Sequence, residues 1–320
     1  MALEFLKENM KKKGIIARLD NYLLTLQKED NDRAFNVNAP SQIAVCKRAR
    51  YYARTGEGTK TSYSARTQRI FDNGTYFHER TQKYMLDSGI LLLDEVPVVV
   101  ASISSFPLAG VDTLPTVETP ILSTEYNIQG HTDGILDLGD EYAILELKSI
   151  NDNQYSGLRS GEKPEHTLQG LVYVYCIESH RKFLREKYKT NLMFKLSRGR
   201  RALEYAKHYN HLKSGSKYTK DEKIAFQVGL HLRLDDLIYK CEKPITKVVF
   251  LYENKNTQDL KEFVVDSTTP ENQEKIAEIL EGCSFVNDCV ETGTVPPREA
   301  TRKSDSICRF CNYKDECWVL

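Results

Sequence analysis

The chain has 320 residues, of which 40% are hydrophobic, so it is long enough for one large core or two small domains. Its 45 basic and 45 acidic residues give zero net charge, so a nucleic-acid partner would have to be held by local basic patches. No segment approaches about 18 consecutive apolar residues, and no signal-peptide pattern is present. We therefore expect a cytoplasmic protein with no membrane partner.

The sequence contains eight cysteines. In a reducing compartment they are not expected to form a disulfide framework. A close group among them would instead indicate metal binding or redox chemistry.

The N-terminal region is predicted to be helical. Residues 3–28 have helical spacing of apolar side chains, and Ser41 is a plausible cap for a second helix over residues 42–54 that contains Cys46. The loop at residues 56–61 resembles a phosphate loop only superficially, because its Gly and Lys are not adjacent and no strand precedes it. We therefore predict no nucleoside-triphosphate site and no built-in motor.

A third helix is predicted over residues 63–86. It carries Arg66 and Arg69, which are suited to phosphate contacts, and places Gly74 and His78 one turn apart on one face. Three extended segments should follow it, at residues 91–93, 96–103 and 121–128.

A hairpin is predicted next, with strands at residues 130–138 and 141–148. If Gly139 and Asp140 form a two-residue turn, the register places Asp133 directly opposite Glu146. Side chains alternate along a strand, so Lys148 lies on the same face as Glu146, whereas the neighbouring leucines point into a core.

Two carboxylates directly opposite on a sheet repel each other, and a bound divalent cation would offset that repulsion. Oxygen ligands suit Mg²⁺ or Mn²⁺, and the Lys148 ammonium could hold a water or stabilise charge at a phosphate. The alternative is a surface hairpin whose Glu146 and Lys148 form an exposed ion pair of little energetic value.

The remaining elements alternate between helix and strand. In chain order they are a polar loop at 151–164, a helix at 165–188, a charged helical insertion at about 197–241, strands at 247–252 and 262–265, and a helix at about 270–292. On the helix at 165–188, Gln169 and Tyr173 share a face.

Three cysteines lie close together near the end of the sequence: Cys308, Cys311 and Cys317. Their spacing suits a metal centre that needs a fourth ligand. A local ligand, Cys283 or Cys289, would make a self-contained zinc knot, whereas Cys46 would join the two ends of the chain. The other cysteines, including Cys176 and Cys241, are most simply small buried side chains.

These motifs, taken together and in order, resemble the iron–sulfur branch of the RecB-like nucleases in the PD-(D/E)XK superfamily, which includes the AddB nuclease, the exonucleases of CRISPR adaptation and similar bacteriophage proteins. The matching residues are Cys46, Gly74-x-x-x-His78, Gly130-x-x-Asp133, Glu146-x-Lys148, Gln169-x-x-x-Tyr173 and Cys308-x-x-Cys311-x5-Cys317. Each motif alone is weak, but six in the right order are strong.

The resemblance implies a role for each motif. It implies that Mg²⁺ or Mn²⁺ is held by His78, Asp133, Glu146 and the backbone carbonyl of Leu147. Lys148 would be the catalytic lysine, supported by Gln169 and Tyr173. A 4Fe-4S cluster would be held by Cys46, Cys308, Cys311 and Cys317. His131, inside the Gly-x-x-Asp motif, departs from the usual pattern, and its role stays open.

The implied fold is α/β, with a mixed central sheet flanked by helices in a restriction-endonuclease-like core and a cluster that joins the N-terminal helix to the C-terminal tail. We expect an N-terminal helical region at 1–62, a nuclease core at 63–295 with the insertion at 197–241, and the cysteine tail at 296–320.

The function expected is a metal-dependent DNA exonuclease acting on single-stranded ends or tails in recombination, replication or repair. Arg66 and Arg69 would contact the DNA, and a partner helicase would supply any unwinding. Two alternatives stay open: a sequence-specific endonuclease on the same fold, and a non-catalytic zinc protein that binds nucleic acid.

Overall fold

The computed structural model of the chain describes residues 14–26, 36–56, 64–92, 119–159, 161–214, 219–309 and 311–319. Its strands are β1 (Thr119–Ser123), β2 (Ile128–Thr132), β3 (Gly134–Asp137), β4 (Tyr142–Ile150), β5 (Ile245–Asn254) and β6 (Leu260–Asp266). Its helices are α1 (Ile15–Leu26), α2 (Lys47–Thr55), α3 (Ala65–Asp87), α4 (Asp152–Gly157), α5 (Pro164–Lys187), α6 (Asn191–Leu196), α7 (Arg198–His208), α8 (Lys220–Lys240), α9 (Pro270–Thr292) and α10 (Lys314–Val319). Within these ranges, no helix combines the length and the apolar character needed to cross a membrane.

The strands form two sheets, and the larger one is mixed. Its order is β3-β4-β5-β6, with β4 and β5 parallel and the other neighbours antiparallel. Strands β1 and β2 pair separately as an antiparallel hairpin. Parallel neighbours need a long crossover, and here it runs through α4 to α8. The chain therefore has a mixed α/β fold, as the sequence predicts.

Alternation along β4 assigns its side chains to two different layers. Leu145 and Leu147 are fully buried and pack in one cluster with Phe77 of α3. Ile144 and Phe250 lie in the other cluster, which includes the buried face of α5. The even-numbered side chains of β4 thus face α5, and the odd-numbered ones face α3.

Helix α5 lies unusually close to the sheet because of Gly170. A Cβ atom at this position would lie 2.7 Å from the Phe250 ring and about as close to Val248. Only glycine allows this approach, which brings the polar side chains on the same face of α5 within reach of β4.

Several predicted elements are confirmed with boundaries within a few residues. Helix α3 begins after Ser64, whose side chain accepts a hydrogen bond from the backbone N–H of Thr67, and α9 spans the predicted residues. Helix α5 and the two late strands also lie where the sequence places them. Predicted segments at residues 3–13, 57–63 and 96–103 lie outside the described residues.

The predicted cap at Ser41 is wrong. Ser41 lies inside a 3-10 turn, Pro40–Gln42, and α2 begins only at Lys47, directly after Cys46. Pro40 has the fixed φ that starts such a turn, and the Ile43 N–H closes it by donating to the Pro40 carbonyl at 3.2 Å.

Two further predictions needed correction because local turns interrupt the pattern. The extended segment at 121–128 is divided by a four-residue turn in which Asn127 has φ 48°, so β1 and β2 fold back on each other. The polar loop at 151–164 contains the short helix α4, because the Asn151 side chain accepts a hydrogen bond from the backbone N–H of Gln154 at 2.9 Å.

A buried polar network joins α5, α7 and α8. Asp235 has no exposed surface, and its carboxylate accepts hydrogen bonds from His180 at 2.6 Å and Tyr205 at 2.8 Å and pairs with Arg201. Burial alone would raise the pKa of Asp235, but the bond to His180 and the charges of His180 and Arg201 hold it below its usual range. The region predicted as an insertion is therefore tied firmly to α5.

We expect Asp235→Ala to lower the free energy of unfolding by about 3–5 kcal/mol, because it leaves Arg201 buried without its counter-charge. Asp236→Ala is the matched control. Its partner Arg198 is half-exposed, and loss of such a pair costs less than about 1 kcal/mol. Urea unfolding of both variants measures the difference, and equal losses would contradict the structural role given to Asp235.

Candidate functional site

The β3–β4 hairpin has the predicted register. Asp137 pairs with Tyr142 and Gly134 with Leu145, and the Leu138 N–H donates to the Glu141 carbonyl at 3.0 Å. Gly139 in the turn has φ 82°, a conformation that glycine adopts without strain. Extended by one residue, this register brings Asp133 opposite Glu146.

Asp133 lies at the bend between β2 and β3, and its carboxylate joins two elements. One oxygen accepts from the backbone N–H of Leu147 at 2.6 Å, and the other accepts from His78 Nδ1 at 2.9 Å. The Asp133 backbone carbonyl accepts from Gln82 at 2.8 Å. Helix α3 is thus held to the hairpin through two side chains one turn apart, His78 and Gln82.

On the other side of Glu146, a chain of polar contacts leads into α5. Lys148 Nζ lies 2.5 Å from Glu146 Oε1 and donates to Gln169 Oε1 at 3.1 Å. The Gln169 amide nitrogen in turn donates to the Tyr173 hydroxyl at 2.6 Å. The predicted site residues of four motifs therefore lie in one connected group: His78, Asp133, Glu146 with Lys148, and Gln169 with Tyr173.

The charges in this group shift the pKa values of its members. Burial, and then repulsion from Asp133, raises the pKa of Glu146 to about 7, although Lys148 opposes the shift. Burial would lower the pKa of His78, but its hydrogen bond to Asp133 and the carboxylate charges raise it above its usual value. The site thus binds protons that a multivalent cation could replace.

The raised pKa of Glu146 has a consequence for stability. The carboxyl is protonated more readily in the folded chain than in the unfolded one, so without metal its ionisation destabilises the fold as pH rises from about 4.5 to about 7. We expect Glu146→Gln to stabilise the chelator-treated protein at pH 8 by up to about 3 kcal/mol, and not at pH 4.5.

Denaturant unfolding at the two pH values measures this effect. Glu141→Gln is the control on the same hairpin, because Glu141 is half-exposed and pairs with Lys247 at 2.7 Å. A stability difference for Glu146→Gln that stays the same at pH 4.5 and pH 8 would contradict the linkage.

Metal binding can be judged from the donors themselves. Among the described residues, no three His, Cys, Asp or Glu side chains are arranged as a ready-made metal site. His78 and Glu146 are instead bonded to Asp133 and Lys148. The donors are one imidazole and two carboxylates, beside the backbone of Leu147, and they fit Mg²⁺ or Mn²⁺ if these contacts exchange for metal bonds.

The cysteines predicted as cluster ligands lie within electrostatic range of one another. Burial raises the pKa of the Cys46 thiol, and charges at Cys311 and Cys317 raise it further. Burial raises the pKa of Cys311 likewise, with contributions from Cys308 and Cys317. The tail reaches α2 through Tyr52 and Tyr313, whose ring centroids lie 5.9 Å apart.

The other candidates for a fourth ligand have different surroundings. Cys283 is fully buried, and its sulfur accepts a hydrogen bond from Arg50 at 3.1 Å. Cys289 packs near Cys317 in a small cluster with the α2 tyrosines. Among the described residues, the cysteines form no group of three that could hold a metal ion, so the distant-ligand arrangement and the local knot both stay predictions.

The predicted DNA contacts lie on the outer part of α3. Arg66 is exposed, and Arg69 forms an ion pair with Asp20 of α1. His131 lies on β2 opposite Pro120, and its Nε2 is 3.4 Å from the Gln227 side chain of α8. His131 is thus directed toward α8.

Sequence reasoning missed three residues that surround the site. Gln82 could have been found, because it lies one turn beyond His78 on the same face of α3. His166 and Tyr252 contact each other at 2.8 Å, but they are 86 residues apart and no local pattern joins them.

Comparisons with known proteins give no further guidance. No family model matches the chain, and no curated protein matches it significantly. A solved crystal structure of a protein named SSO0001 resembles it over 96% of this chain and 97% of that one, with 12% identity and a TM-score of 0.41. A likeness at this level carries no argument about function.

Proposed function

We propose that this protein is a metal-dependent DNA nuclease of the RecB-like PD-(D/E)XK type, and that it acts as an exonuclease on single-stranded ends or tails. The observation that carries the proposal is the connected group of Asp133, Glu146 and Lys148. Two carboxylates and a lysine are kept together at the edge of a core, although burial and the charge of Asp133 raise the pKa of Glu146 to about 7. Such costly arrangements are typical of functional sites.

The proposed metal site consists of His78, Asp133, Glu146 and the backbone carbonyl of Leu147. A bound Mg²⁺ or Mn²⁺ would lower the pKa of a water and neutralise charge on the phosphate. The Leu147 N–H and Gln82 hold the Asp133 carboxylate and backbone in place. These contacts orient a ligand before the metal arrives.

The Lys148 ammonium is oriented by its neighbours and keeps one N–H donor for the substrate. It has three N–H donors, of which two are used by Glu146 and Gln169. The third can donate to a phosphate oxygen or to the attacking water. Gln169 is itself fixed by Tyr173, so the lysine is directed by its neighbours rather than free to rotate.

The cysteines are proposed to hold a structural 4Fe-4S cluster that joins the start of α2 to the C-terminal tail. Cys46, Cys308, Cys311 and Cys317 would be its ligands. Thiolates are the ligands that such clusters require, and the charges of tail cysteines that help to raise the pKa of Cys46 and of Cys311 support the grouping. The core would then be restriction-endonuclease-like, closed by the cluster.

DNA would be held by local positive charge, since the chain has no net charge. Arg66 and Arg69 are proposed contacts. The Arg69 pair with Asp20 is half-exposed and therefore weak enough to exchange for a phosphate.

Digestion of oligonucleotides tests the proposal. Single- and double-stranded substrates labelled at the 5′ or 3′ end are incubated with the protein and Mg²⁺, Mn²⁺ or a chelator. We expect labelled single strands to be degraded progressively to short products with Mg²⁺ or Mn²⁺, and we expect no degradation with the chelator. Discrete fragments from a plasmid would instead indicate the sequence-specific endonuclease, and no cleavage with any metal would refute a nuclease.

A further inference from the structure

A second histidine lies beside the proposed active site, and the sequence motifs do not include it. His166 is in the first turn of α5, and its Nδ1 lies 2.8 Å from the hydroxyl of Tyr252 on β5. The rings stack with centroids 5.6 Å apart. Tyr252 is completely buried, whereas the His166 ring is partly exposed.

The hydrogen bonds around Tyr252 fix the tautomer of His166. The Tyr252 hydroxyl accepts from the backbone N–H of Lys163 at 3.2 Å, so its own proton is left for the Nδ1 atom of His166. A buried hydroxyl proton without an acceptor would be costly. We therefore assign Nδ1 as an acceptor, which places the ring proton on Nε2.

The position of this N–H relative to the site follows from the sheet. Lys148 and Tyr252 are register partners on the parallel strands β4 and β5, so they are neighbours on one face. That face is covered by α5, which carries His166 one turn before Gln169. Among the described residues, Nε2 of His166 has no hydrogen-bond partner.

The imidazole is neutral. Burial, with the positive charges of Lys148 and Lys163, lowers the pKa of His166 to about 3. Both ammonium groups are therefore within electrostatic range of the ring. A neutral N–H within range of two ammonium groups is a donor that suits an anionic ligand such as a phosphate oxygen.

We propose that His166 contacts the DNA directly, by donating its Nε2–H to a phosphate oxygen of the strand bound beside Lys148. The proposal rests on the proposed nuclease function and adds a substrate contact to it. Tyr252 is a positioning residue, because it holds the imidazole in the tautomer that donates.

Two substitutions distinguish the contribution of Nδ1 from that of Nε2. His166→Asn keeps an acceptor near Nδ1 for Tyr252 but loses the distal donor, whereas His166→Gln can place an amide N–H near the position of Nε2. Lys163→Gln removes a charge next to the same site. His211→Asn is the control, because His211 is exposed and its Nδ1 bonds to a local backbone carbonyl.

The experiment measures the affinity of the whole protein for a labelled single-stranded oligonucleotide by fluorescence anisotropy, with Ca²⁺ in place of Mg²⁺, at several salt concentrations and at pH 6 and 8. We expect His166→Asn to weaken binding about tenfold, and His166→Gln to recover most of the loss. A neutral donor releases no counterion, so the salt slope stays unchanged for His166→Asn but falls by about one for Lys163→Gln.

Several outcomes would overturn the proposal. The inference is wrong if the parent binds or cleaves DNA and His166→Asn binds DNA as tightly as the parent. It is also wrong if His166→Asn and His166→Gln lose affinity equally, or if the loss of affinity in His166→Asn is larger at pH 6 than at pH 8. If the parent neither binds nor cleaves DNA, the proposed function fails and the His166 contact fails with it. Should a variant not fold, the nitrogen chemical shifts of His166 in the parent decide: they must report Nε2–H and move when oligonucleotide is added.

Discussion

Glu146→Gln, Asp133→Asn and Lys148→Ala should each reduce DNA cleavage by about a thousandfold or more while the chain stays folded. Each of the two carboxylate changes removes a proposed metal ligand, and the Asp133 change also disturbs the contact to His78. Lys148→Ala leaves the carboxylates in place but removes the ammonium that is proposed to donate to the phosphate. Initial rates with Mn²⁺ and a labelled single strand measure all three.

Glu141→Gln is the matched control for this prediction. It changes one acidic residue on the same hairpin, but this residue lies at the turn end and pairs with Lys247. Its activity should stay within about twofold of the parent, because a surface pair of this kind contributes little. Full activity in any of the three site variants would show that the assignment of the active site to this hairpin is wrong.

Cys46→Ser should remove the iron of the proposed cluster and cause a large loss of stability. The cluster would join α2 to the tail, so its binding free energy is part of the folding free energy. We expect Cys46→Ser and Cys308→Ser to lose colour and iron content, with activity falling as a consequence. Iron and zinc per chain, measured after anaerobic purification, give the result.

Cys283→Ser and Cys241→Ser are the comparisons. Cys283 bonds to Arg50, and Cys241 bonds to the Leu237 carbonyl at 3.4 Å, so both should keep a full metal content. Loss of iron in Cys283→Ser with retention in Cys46→Ser would reverse the assignment in favour of a local knot. A colourless parent that contains zinc would exclude the iron–sulfur cluster but not the ligand set.

The hairpin could be predicted from sequence because every constraint on it is local. A two-residue turn at Gly139 and Asp140 fixes the register, and the period of two then places Glu146 and Lys148 on one face. The pairing of Gln169 with Tyr173 could also be predicted from the sequence, since one helical turn separates them. Their direction toward Lys148 depends on Gly170, whose effect appears only when α5 meets Phe250.

The contacts that were missed depend on distant parts of the chain. The parallel pairing of β4 with β5 brings Tyr252 beside Lys148, and no pattern within either strand specifies it. The His166–Tyr252 contact follows from that pairing. Ser41 failed as a cap because the turn that begins at Pro40 takes precedence over the propensity of a single serine.

Titration of Mn²⁺ into the metal-free protein at pH 8, followed by electron paramagnetic resonance of the free ion, shows whether the hairpin carboxylates bind metal. Parent and Glu141→Gln should remove Mn²⁺ from solution equally, whereas Asp133→Asn should bind it at least about tenfold more weakly, because Asp133 is the carboxylate that joins His78 to the hairpin. Equal Mn²⁺ binding by the parent and Asp133→Asn, or no binding by the parent, would contradict the assignment of the metal site to His78, Asp133 and Glu146.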